Sequence, residues 1–248
     1  MISVLINGCN GKMGQEVAKA IEKNDNFVTC CGVDRLDSGD NKFPVYTDLS
    51  LIKEDPELII DFSVPEATFK ILDFALEHKI PIIIATTGFT EEQIEKIKKA
   101  SETIPVFRSG NMSYSVNLMC HLVSEVAKKL TGYDIEIVEA HHNRKIDSPS
   151  GTALMLADNI NNALDKTMYY EYDRHSKHQK RDKNEIGIHS IRGGNIVGEH
   201  TVKFISDNEC FEITHTAFSR ALFADGALKA GEFIVLQDPG LYDMNNLL

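Results

Sequence analysis

Short apolar runs and amphipathic runs alternate through residues 1–107, and this alternation constrains the fold more than any other feature of the chain. An apolar run as continuous as IPIIIATT (80–87) is typical of a parallel strand that is covered on both faces. Met13, Val17 and Ile21 recur every fourth residue, which places them on one face of a helix. Strands that alternate with helices in this way predict an α/β fold with a doubly wound parallel sheet.

The same patterns predict the other elements of this part of the chain. A helix over 65–78 has a proline in its first turn, and TEEQ (90–93) is a capping box that starts another helix. Further strands are expected over 3–7, 27–33, 57–63 and 104–107.

After residue 113 the pattern changes and predicts a second, smaller α+β domain. The run 115–130 has helical spacing, and 133–142 alternates as a strand. Three strand-like runs within 186–218 are separated by the turn sequences RGGN and SDNE, which predicts antiparallel pairing. Residues 165–185 are polar without a clear period and are expected to form a loop.

The C-terminal run 221–237 has helical spacing and is expected to return to the first domain. We therefore divide the chain into a dinucleotide-binding domain (1–113), a substrate-binding and oligomerisation domain (114–220) and a C-terminal return (221–248).

Composition excludes several classes of partner. The net charge of −11 argues against the broad basic surface that general nucleic-acid binding requires. No run of about 18 apolar residues occurs, so we expect no membrane span. Five cysteines, with only Cys30 and Cys31 close together, give no disulfide framework, and the first residues lack a secretory pattern. The reducing cytoplasm is the expected compartment, and an acidic chain with local cations suggests a small anionic ligand.

A glycine-rich turn, GCNGKMG (8–14), follows the first predicted strand and precedes a helix. Glycines let the backbone approach a pyrophosphate, and a helix N-terminus favours negative charge. The spacing is G-x-x-G-x-x-G, with Asn10 at the usual second glycine, and asparagine tolerates a positive φ. By itself this motif also fits an ordinary tight strand–helix turn.

Asp34 ends the second predicted strand, 20 residues after Gly14, where a carboxylate can accept hydrogen bonds from ribose hydroxyls. A solvated loop aspartate is the alternative for this residue alone, but turn, helix and acid together predict a dinucleotide. Arg35 can pair with a 2′-phosphate, assisted by Lys12, so the choice between NADH and NADPH stays open. ATTG (85–88) and SGNM (109–112) also follow strands, where ligands of open α/β sheets bind, although ordinary turn chemistry explains each loop equally.

The segment EAHHNRKIDSPSGTA (139–153) concentrates proton carriers and cations. His141 and His142 come at the end of a strand, where adjacent side chains point to opposite faces and therefore serve different tasks. Lys145 follows in a loop. A metal site is disfavoured because regularly spaced further ligands are lacking and this lysine would compete as a cation.

A helix is expected to begin near Ser150, so Gly151 and Thr152 lie in its first turn, whose N–H groups suit a carboxylate. Reduction by hydride leaves negative charge that a nearby acid must neutralise. Histidine, with a pKa of about 6.5, serves as acid or base at neutral pH. Lysine, at about 10.4, can donate to a strongly basic centre.

Together these segments resemble the 4-hydroxy-tetrahydrodipicolinate reductase (dihydrodipicolinate reductase) family over essentially the whole chain. The block 139–154 is the most specific, whereas the glycine turn is shared with many unrelated dehydrogenases. The other segments that carry the resemblance are ATTGF (85–89), GGNIVGEH (193–200) and GLYDM (240–244).

The resemblance implies a Rossmann-like domain, a smaller mixed α/β domain and a cytoplasmic homotetramer. It also implies reduction of (2S,4S)-4-hydroxy-2,3,4,5-tetrahydrodipicolinate to (S)-2,3,4,5-tetrahydrodipicolinate by NADH or NADPH. Water is lost in this step of the diaminopimelate route to lysine.

Site residues follow from the same resemblance. His141 is implied as the catalytic acid/base and Lys145 as the proton donor, while His142, Gly151 and Thr152 hold the substrate carboxylate. Where this chain has Ala85 the family often has glycine, which affects close backbone approach. The implied cofactor contacts are Gly8, Cys9, Asn10, Gly11, Lys12, Met13, Asp34, Arg35, Ala85, Thr86, Thr87, Ser109, Gly110, Asn111 and Met112.

Several readings stay open at this point. Arg144 and Arg192 either contribute to the cationic pocket or are solvated loop residues. The chain can also be another two-domain NAD(P)-dependent reductase that acts on a small carboxylate. A non-catalytic NAD-sensing module is the third hypothesis, although a sensor needs no proton donor.

Overall fold

The computed structural model describes all residues, 1–248, and the chain forms two compact units. The N-terminal unit comprises residues 1–114 and 220–248, and the inserted unit comprises 115–219. These divisions differ by one residue from the predicted boundaries at 113/114 and 220/221. The roles assigned to the segments stay predictions.

Twelve strands and six α-helices make up the chain. The strands are β1 (Ile2–Asn7), β2 (Phe27–Val33), β3 (Val45–Tyr46), β4 (Leu58–Asp61), β5 (Ile82–Ile84), β6 (Pro105–Arg108), β7 (Asp134–His141), β8 (Tyr169–Glu171), β9 (Glu185–Arg192), β10 (Gly198–Ile205), β11 (Cys210–Ala217) and β12 (Gly240–Tyr242). The helices are α1 (Lys12–Ile21), α2 (Pro65–His78), α3 (Glu91–Ala100), α4 (Tyr114–Lys129), α5 (Gly151–Ala163) and α6 (Ala221–Ile234).

The sheet of the N-terminal unit has seven parallel strands in the order β12-β6-β5-β4-β1-β2-β3. Helices α1 and α6 pack in one apolar cluster of this unit, and α2 and α3 pack in another. All four residues of β4 are buried, as expected for a strand covered on both faces. The predicted doubly wound, Rossmann-like sheet is therefore confirmed, with its strand order reversing between β1 and β4.

Local signals for two helices are also confirmed. Thr90 and Gln93 form the predicted capping box at α3, and α2 has its proline at the first position. The strand expected over 80–87 is shorter, Ile82–Ile84, because its pairing with β4 and β6 spans only these three residues.

The inserted unit has a five-stranded mixed sheet in the order β11-β10-β7-β9-β8. The hairpin predicted between β10 and β11 at SDNE is confirmed by their antiparallel register. Antiparallel pairing of β9 with β10 across RGGN is wrong. Strand β7 lies between them, parallel to β9 and antiparallel to β10, and β8 pairs with the other edge of β9, so no edge of β9 is left for β10.

Residues 165–185 were expected to form a loop, and this expectation is also wrong in part. Strand β8 lies within them and pairs parallel with β9. Its last residue, Glu171, is buried and forms an ion pair with Lys177, a polar contact that hydrophobic periodicity does not register. Helices α4 and α5 supply the apolar core of this unit.

Candidate active site

The glycine turn joins β1 to α1, and two of its glycines are required by sterics. Gly8 has a φ of +80°, and a Cβ at Gly14 would lie 2.2 Å from the carbonyl oxygen of Gly8. The positive φ therefore falls on Gly8 and not on Asn10. Helix α1 has Gly11 as its N-cap without a side-chain cap, so its first turn retains N–H groups that suit a phosphate.

Asp34 directly follows β2, and its carboxylate touches the glycine turn. It accepts hydrogen bonds from the N–H of Asn10 (2.9 Å) and of Arg35 (2.7 Å). A carboxylate has lone pairs for further donors, so this group fits a ribose diol. The side-chain amide of Asn10 donates to the carbonyl oxygen of Leu36 (2.6 Å) and accepts from the Asn41 side chain (2.7 Å). These two hydrogen bonds hold the loop after β2 against the glycine turn.

Three predicted cofactor residues have buried side chains. Cys9 and Met112 belong to the apolar core, and the Thr86 hydroxyl donates to Asp61 (2.9 Å) and accepts from the Ser63 N–H (3.0 Å). Contacts from these three residues to a dinucleotide would therefore come from their backbone. In contrast, Lys12, Arg35, Thr87 and Gly110 are exposed.

Asp61 is a residue that our sequence reasoning missed. It is fully buried at the end of β4 and accepts hydrogen bonds from Asn7 (2.7 Å), Ser63 (2.5 Å), Thr68 (2.6 Å) and Thr86 (2.9 Å). Burial raises its pKa, although all four hydrogen bonds oppose that rise. The carboxyl group thereby ties together the ends of β1, β4 and β5, and an acid inside the apolar run ELIIDFS was its only sequence signal.

Strand β7 ends at His141, and His142 follows directly. The Nδ1 atom of His141 lies 2.6 Å from Oε2 of Glu139, and the His141 side chain is 12% exposed. Glu139 is fully buried and accepts two hydrogen bonds from the Arg192 guanidinium (2.8 and 2.7 Å) and one from the Ser150 N–H (3.1 Å).

Burial disfavours ionisation of Glu139, but hydrogen bonds from Arg192, Ser190 and His141 outweigh it and lower its pKa to about 2. The carboxylate is therefore ionised at neutral pH. An ionised carboxylate only accepts hydrogen bonds, so Nδ1 of His141 carries the proton and Nε2 is left for exchange.

His200, in β10, is the second ring of this cluster. Its centroid lies 5.2 Å from that of His141, and its Nε2 lies 2.8 Å from the Ser150 hydroxyl. Ser150 also caps α5 by accepting a hydrogen bond from the Ala153 N–H (3.1 Å). Burial and the neighbouring His141 lower the pKa of His200 to about 4, so this ring is neutral at pH 7.

Lys145 lies in the loop between β7 and α5. Its Nζ is 2.8 Å from Oδ2 of Asp147, and its hydrogen bond lowers the pKa of that carboxyl group. Arg192 is neither a solvated loop residue nor a free cation, because it is bound to Glu139 and to the Asp147 carbonyl oxygen (2.7 Å). Arg144 is exposed and donates to the Asn195 side chain (3.0 Å).

The chain lacks two other kinds of feature. No group of three or more His, Cys, Asp or Glu side chains could hold a metal ion. None of the helices combines the length and apolar character that a membrane crossing needs.

Comparison with protein families identifies the chain. The family described as "Dihydrodipicolinate reductase, N-terminus" matches residues 2–112, and "Dihydrodipicolinate reductase, C-terminus" matches residues 115–248. The chain belongs to the dihydrodipicolinate reductase family. The predicted family of this reductase is therefore confirmed, as is its class, an NAD(P)H-dependent oxidoreductase of the diaminopimelate route to lysine.

Individual relatives agree with this assignment. The reductase is similar to the 4-hydroxy-tetrahydrodipicolinate reductase of Caldanaerobacter subterraneus subsp. tengcongensis, with 51% identity covering 100% of this chain and 98% of that protein. The Clostridium tetani protein of the same name is 42% identical, covering 100% and 97%.

Solved structures agree with the family assignment and the fold. A dipicolinate-bound dihydrodipicolinate reductase from Paenisporosarcina sp. TG-14 superposes with a TM-score of 0.83 at 26% identity, covering 100% of both chains. A probable dehydrogenase from Thermotoga maritima, at a TM-score of 0.64 and 10% identity, covers 99% of this chain and 92% of its own and shares the fold alone.

Proposed function

We propose that this reductase converts (2S,4S)-4-hydroxy-2,3,4,5-tetrahydrodipicolinate to (S)-2,3,4,5-tetrahydrodipicolinate with loss of water. The observation that carries the proposal is the cluster in 139–152, where a carboxylate-held histidine, a lysine and a helix N-terminus lie in one loop region. Further support comes from the name of the relatives and from the dipicolinate, a planar dicarboxylate, bound to the Paenisporosarcina protein.

NADH or NADPH supplies the hydride when it is bound. We assign the pyrophosphate to the glycine turn and the first turn of α1, and the ribose to Asp34. The loops 85–87 and 109–112 line the rest of the cofactor, with Cys9, Thr86 and Met112 acting through their backbone. Asp34 and the exposed Arg35 together are compatible with either nucleotide.

The substrate carboxylate is assigned to His142, Gly151 and Thr152. Gly151 is exposed at the first position of α5, where the helix dipole favours an anion. Lys145 is the proton donor, and its Nζ is held 2.8 Å from Oδ2 of Asp147. His141 acts as acid/base through Nε2. The homotetramer and the cytoplasmic location implied by the family remain predictions.

Replacing Lys145 by alanine tests this assignment. We expect kcat to fall at least about 100-fold, since a positioned acid contributes about that much or more, while NAD(P)H binding is kept. The assay generates the substrate in situ and compares both nucleotides. Lys128→Ala is the matched control, because Lys128 forms an exposed ion pair with Glu125 on α4.

Three results would count against the proposal. Unchanged turnover in Lys145→Ala would remove the role of this lysine, and a wild-type chain that binds nucleotide without turnover would favour the sensing module. Pyridine-2,6-dicarboxylate is expected to inhibit competitively with the substrate, and failure to inhibit would contradict the carboxylate assignment.

A further inference from the structure

We propose that Glu139 and Arg192 are positioning residues that fix the tautomer and the ring orientation of His141. The inference rests on the proposed role of His141 in the reaction. Neither residue is assigned to contact the substrate, and each acts through the imidazole.

The sheet register builds this arrangement. Glu139 and His141 are two residues apart on β7, so their side chains lie on the same face of the strand. Strand β9 runs parallel to β7 with Arg192 directly opposite His141. Arg192 thus reaches the carboxylate from the neighbouring strand and closes a three-residue cluster.

Every strong acceptor position of the carboxylate is used. Oε1 accepts from Arg192 and from the Ser150 N–H, and Oε2 accepts from Arg192 and from His141 Nδ1. These four donors hold a fully buried group, and Ser190 adds a further hydrogen bond, so the carboxylate has no freedom to rotate toward a ligand. Its only partner that can exchange a proton is His141.

As a consequence, the two nitrogens of the imidazole have different roles. The Nδ1–H stays on the Glu139 side, and Nε2 takes up or releases the proton. The carboxylate accepts the Nδ1–H, while the hydrogen bonds from Arg192 help keep that carboxylate ionised and fixed in place. A purely structural ion pair would hold the strands together without affecting proton exchange.

Glu139→Gln tests the inference, with Glu136→Gln as a matched control. Glu136 is also on β7 and is bound to an arginine and a histidine, Arg181 (3.0 Å) and His189 (2.8 Å), but Glu136 and Glu139 point to opposite faces of the strand. Both variants lose a carboxylate from a cluster of the same type. Only Glu139→Gln is expected to change the chemistry.

For Glu139→Gln we expect kcat to fall at least about tenfold with little change in KM for the substrate, and the pH profile of kcat/KM to shift. Glu136→Gln should retain the wild-type profile. An unshifted profile in Glu139→Gln, or equal kcat losses in both variants, would overturn the inference.

A second readout does not depend on turnover. Nitrogen NMR of the wild-type chain should show His141 protonated at Nδ1, and this tautomer preference should weaken in Glu139→Gln. If the wild type has no activity on the proposed substrate, the proposed function fails while this measurement still decides the inference. Should Glu139→Gln not fold, Arg192→Lys keeps the charge, loses the two-pronged contact and is expected to shift the same profile.

A different observation carries a second inference, in the N-terminal unit. The register of β1 and β2 passes from Val4–Thr29 to Leu5–Cys31, so Cys30 is an extra residue at a bulge. The Sγ atoms of Cys30 and Cys31 lie 3.7 Å apart, although adjacent strand residues normally point to opposite faces. Cys30 is partly exposed and Cys31 is buried.

We infer that this thiol pair is an oxidation site for a hydroperoxide. The Cys30 thiolate attacks the terminal oxygen of the hydroperoxide and the O–O bond breaks, which gives a sulfenic acid and releases an alkoxide, or hydroxide when the oxidant is hydrogen peroxide. The Cys31 thiol then attacks the Cys30 sulfur and a disulfide forms with loss of water, so that two electrons pass from the two sulfurs to the peroxide.

The electrostatics of the pair support this order of events. The contact with Cys31 lowers the pKa of Cys30 to about 7, while the same contact and burial raise that of Cys31. Cys30 is therefore the attacking thiol. Strand β2 leads directly to Asp34, so a ring closed at the bulge is expected to displace this carboxylate and weaken NAD(P)H binding.

Peptide mass spectrometry of the full chain after hydrogen peroxide treatment and alkylation tests the site. We expect a Cys30–Cys31 disulfide in the wild type and none in Cys30→Ser, with a several-fold weaker NADH affinity that dithiothreitol restores. Exposed Cys210 reports the general reactivity of a surface thiol. Cys30 that remains alkylatable at a dose that oxidises Cys210, or a sulfenic acid that never closes, would overturn the inference.

Discussion

At the scale of single residues, Gly14 shows that the glycine turn between β1 and α1 has no space for a larger side chain. A Cβ at this position would lie 2.2 Å from the Gly8 carbonyl oxygen and 2.7 Å from Cys9 Cα, both parts of the backbone. Gly14→Ala is therefore expected to destabilise the chain by about 1–3 kcal/mol and to weaken NADH binding at least tenfold. Urea unfolding and NADH titration measure the two effects.

Gly193→Ala is the control, because a Cβ there meets no atom within 4 Å and its φ is not positive. It should unfold within about 0.5 kcal/mol of the wild type. Equal stability of the two variants would show that the turn adapts and that the close approach at Gly14 is not a constraint.

Residues of the candidate site could be predicted only where reactive side chains are close together in the sequence. His141 and Lys145 stand in a segment dense with titratable groups, whereas Glu139 occupies a strand position that alternation alone cannot distinguish from an exposed one. Its role depends on Arg192, 53 residues away, and on the parallel register of β7 and β9. Asp61 likewise acquires its role from strands that are distant in sequence.

At the scale of elements, the start of α5 carries more than one function. Ser150 caps the helix and also holds the buried His200 ring through its hydroxyl. Ser150→Ala should therefore cost about 2 kcal/mol or more of unfolding free energy, since both the cap and a buried hydrogen bond are lost. Thr90→Ala, which removes the exposed capping box of α3, should cost about 1 kcal/mol. Urea denaturation of both variants checks this order, and a smaller loss in Ser150→Ala would contradict it.

Element types were predictable from periodicity, but the pairing of strands in the inserted unit was not. RGGN between two apolar runs has the composition of a hairpin turn, and nothing local indicates that β7 separates β9 from β10. The alternating β-α pattern of the N-terminal unit did predict its parallel sheet, because parallel strands with helical crossovers allow few arrangements. Strand β8 was not predicted because it is only three residues long and contains a buried glutamate, Glu171, which is paired with Lys177.

At the scale of the whole molecule, we expect stability to fall in mild acid. The pKa of His200 is about 4 in the folded chain and about 6.5 when unfolded, so the unfolded chain binds more protons between these values. Unfolding free energy should be insensitive to this group above pH 6.5 and should decline by about 3 kcal/mol as the pH falls to 4. Glu139 extends the decline below pH 4.5, because its folded pKa is about 2.

Urea denaturation at a series of pH values measures this effect. In His200→Gln the decline between pH 6.5 and 4 should be markedly flatter, with the part due to Glu139 retained. A wild-type stability that stays constant between pH 6.5 and 5 would mean that His200 is not held neutral in the folded chain.

The division of the chain has a consequence for its biosynthesis. All strands of the inserted unit have been synthesised once residue 217 is added, whereas α6 and β12, over 221–242, are still to come. Helix α6 supplies buried residues such as Ala227 and Ile234 to the core that also contains Val17. Synthesis of the N-terminal unit thus begins first and ends last. The apolar sheet residues that α6 covers stay exposed while the inserted unit is translated.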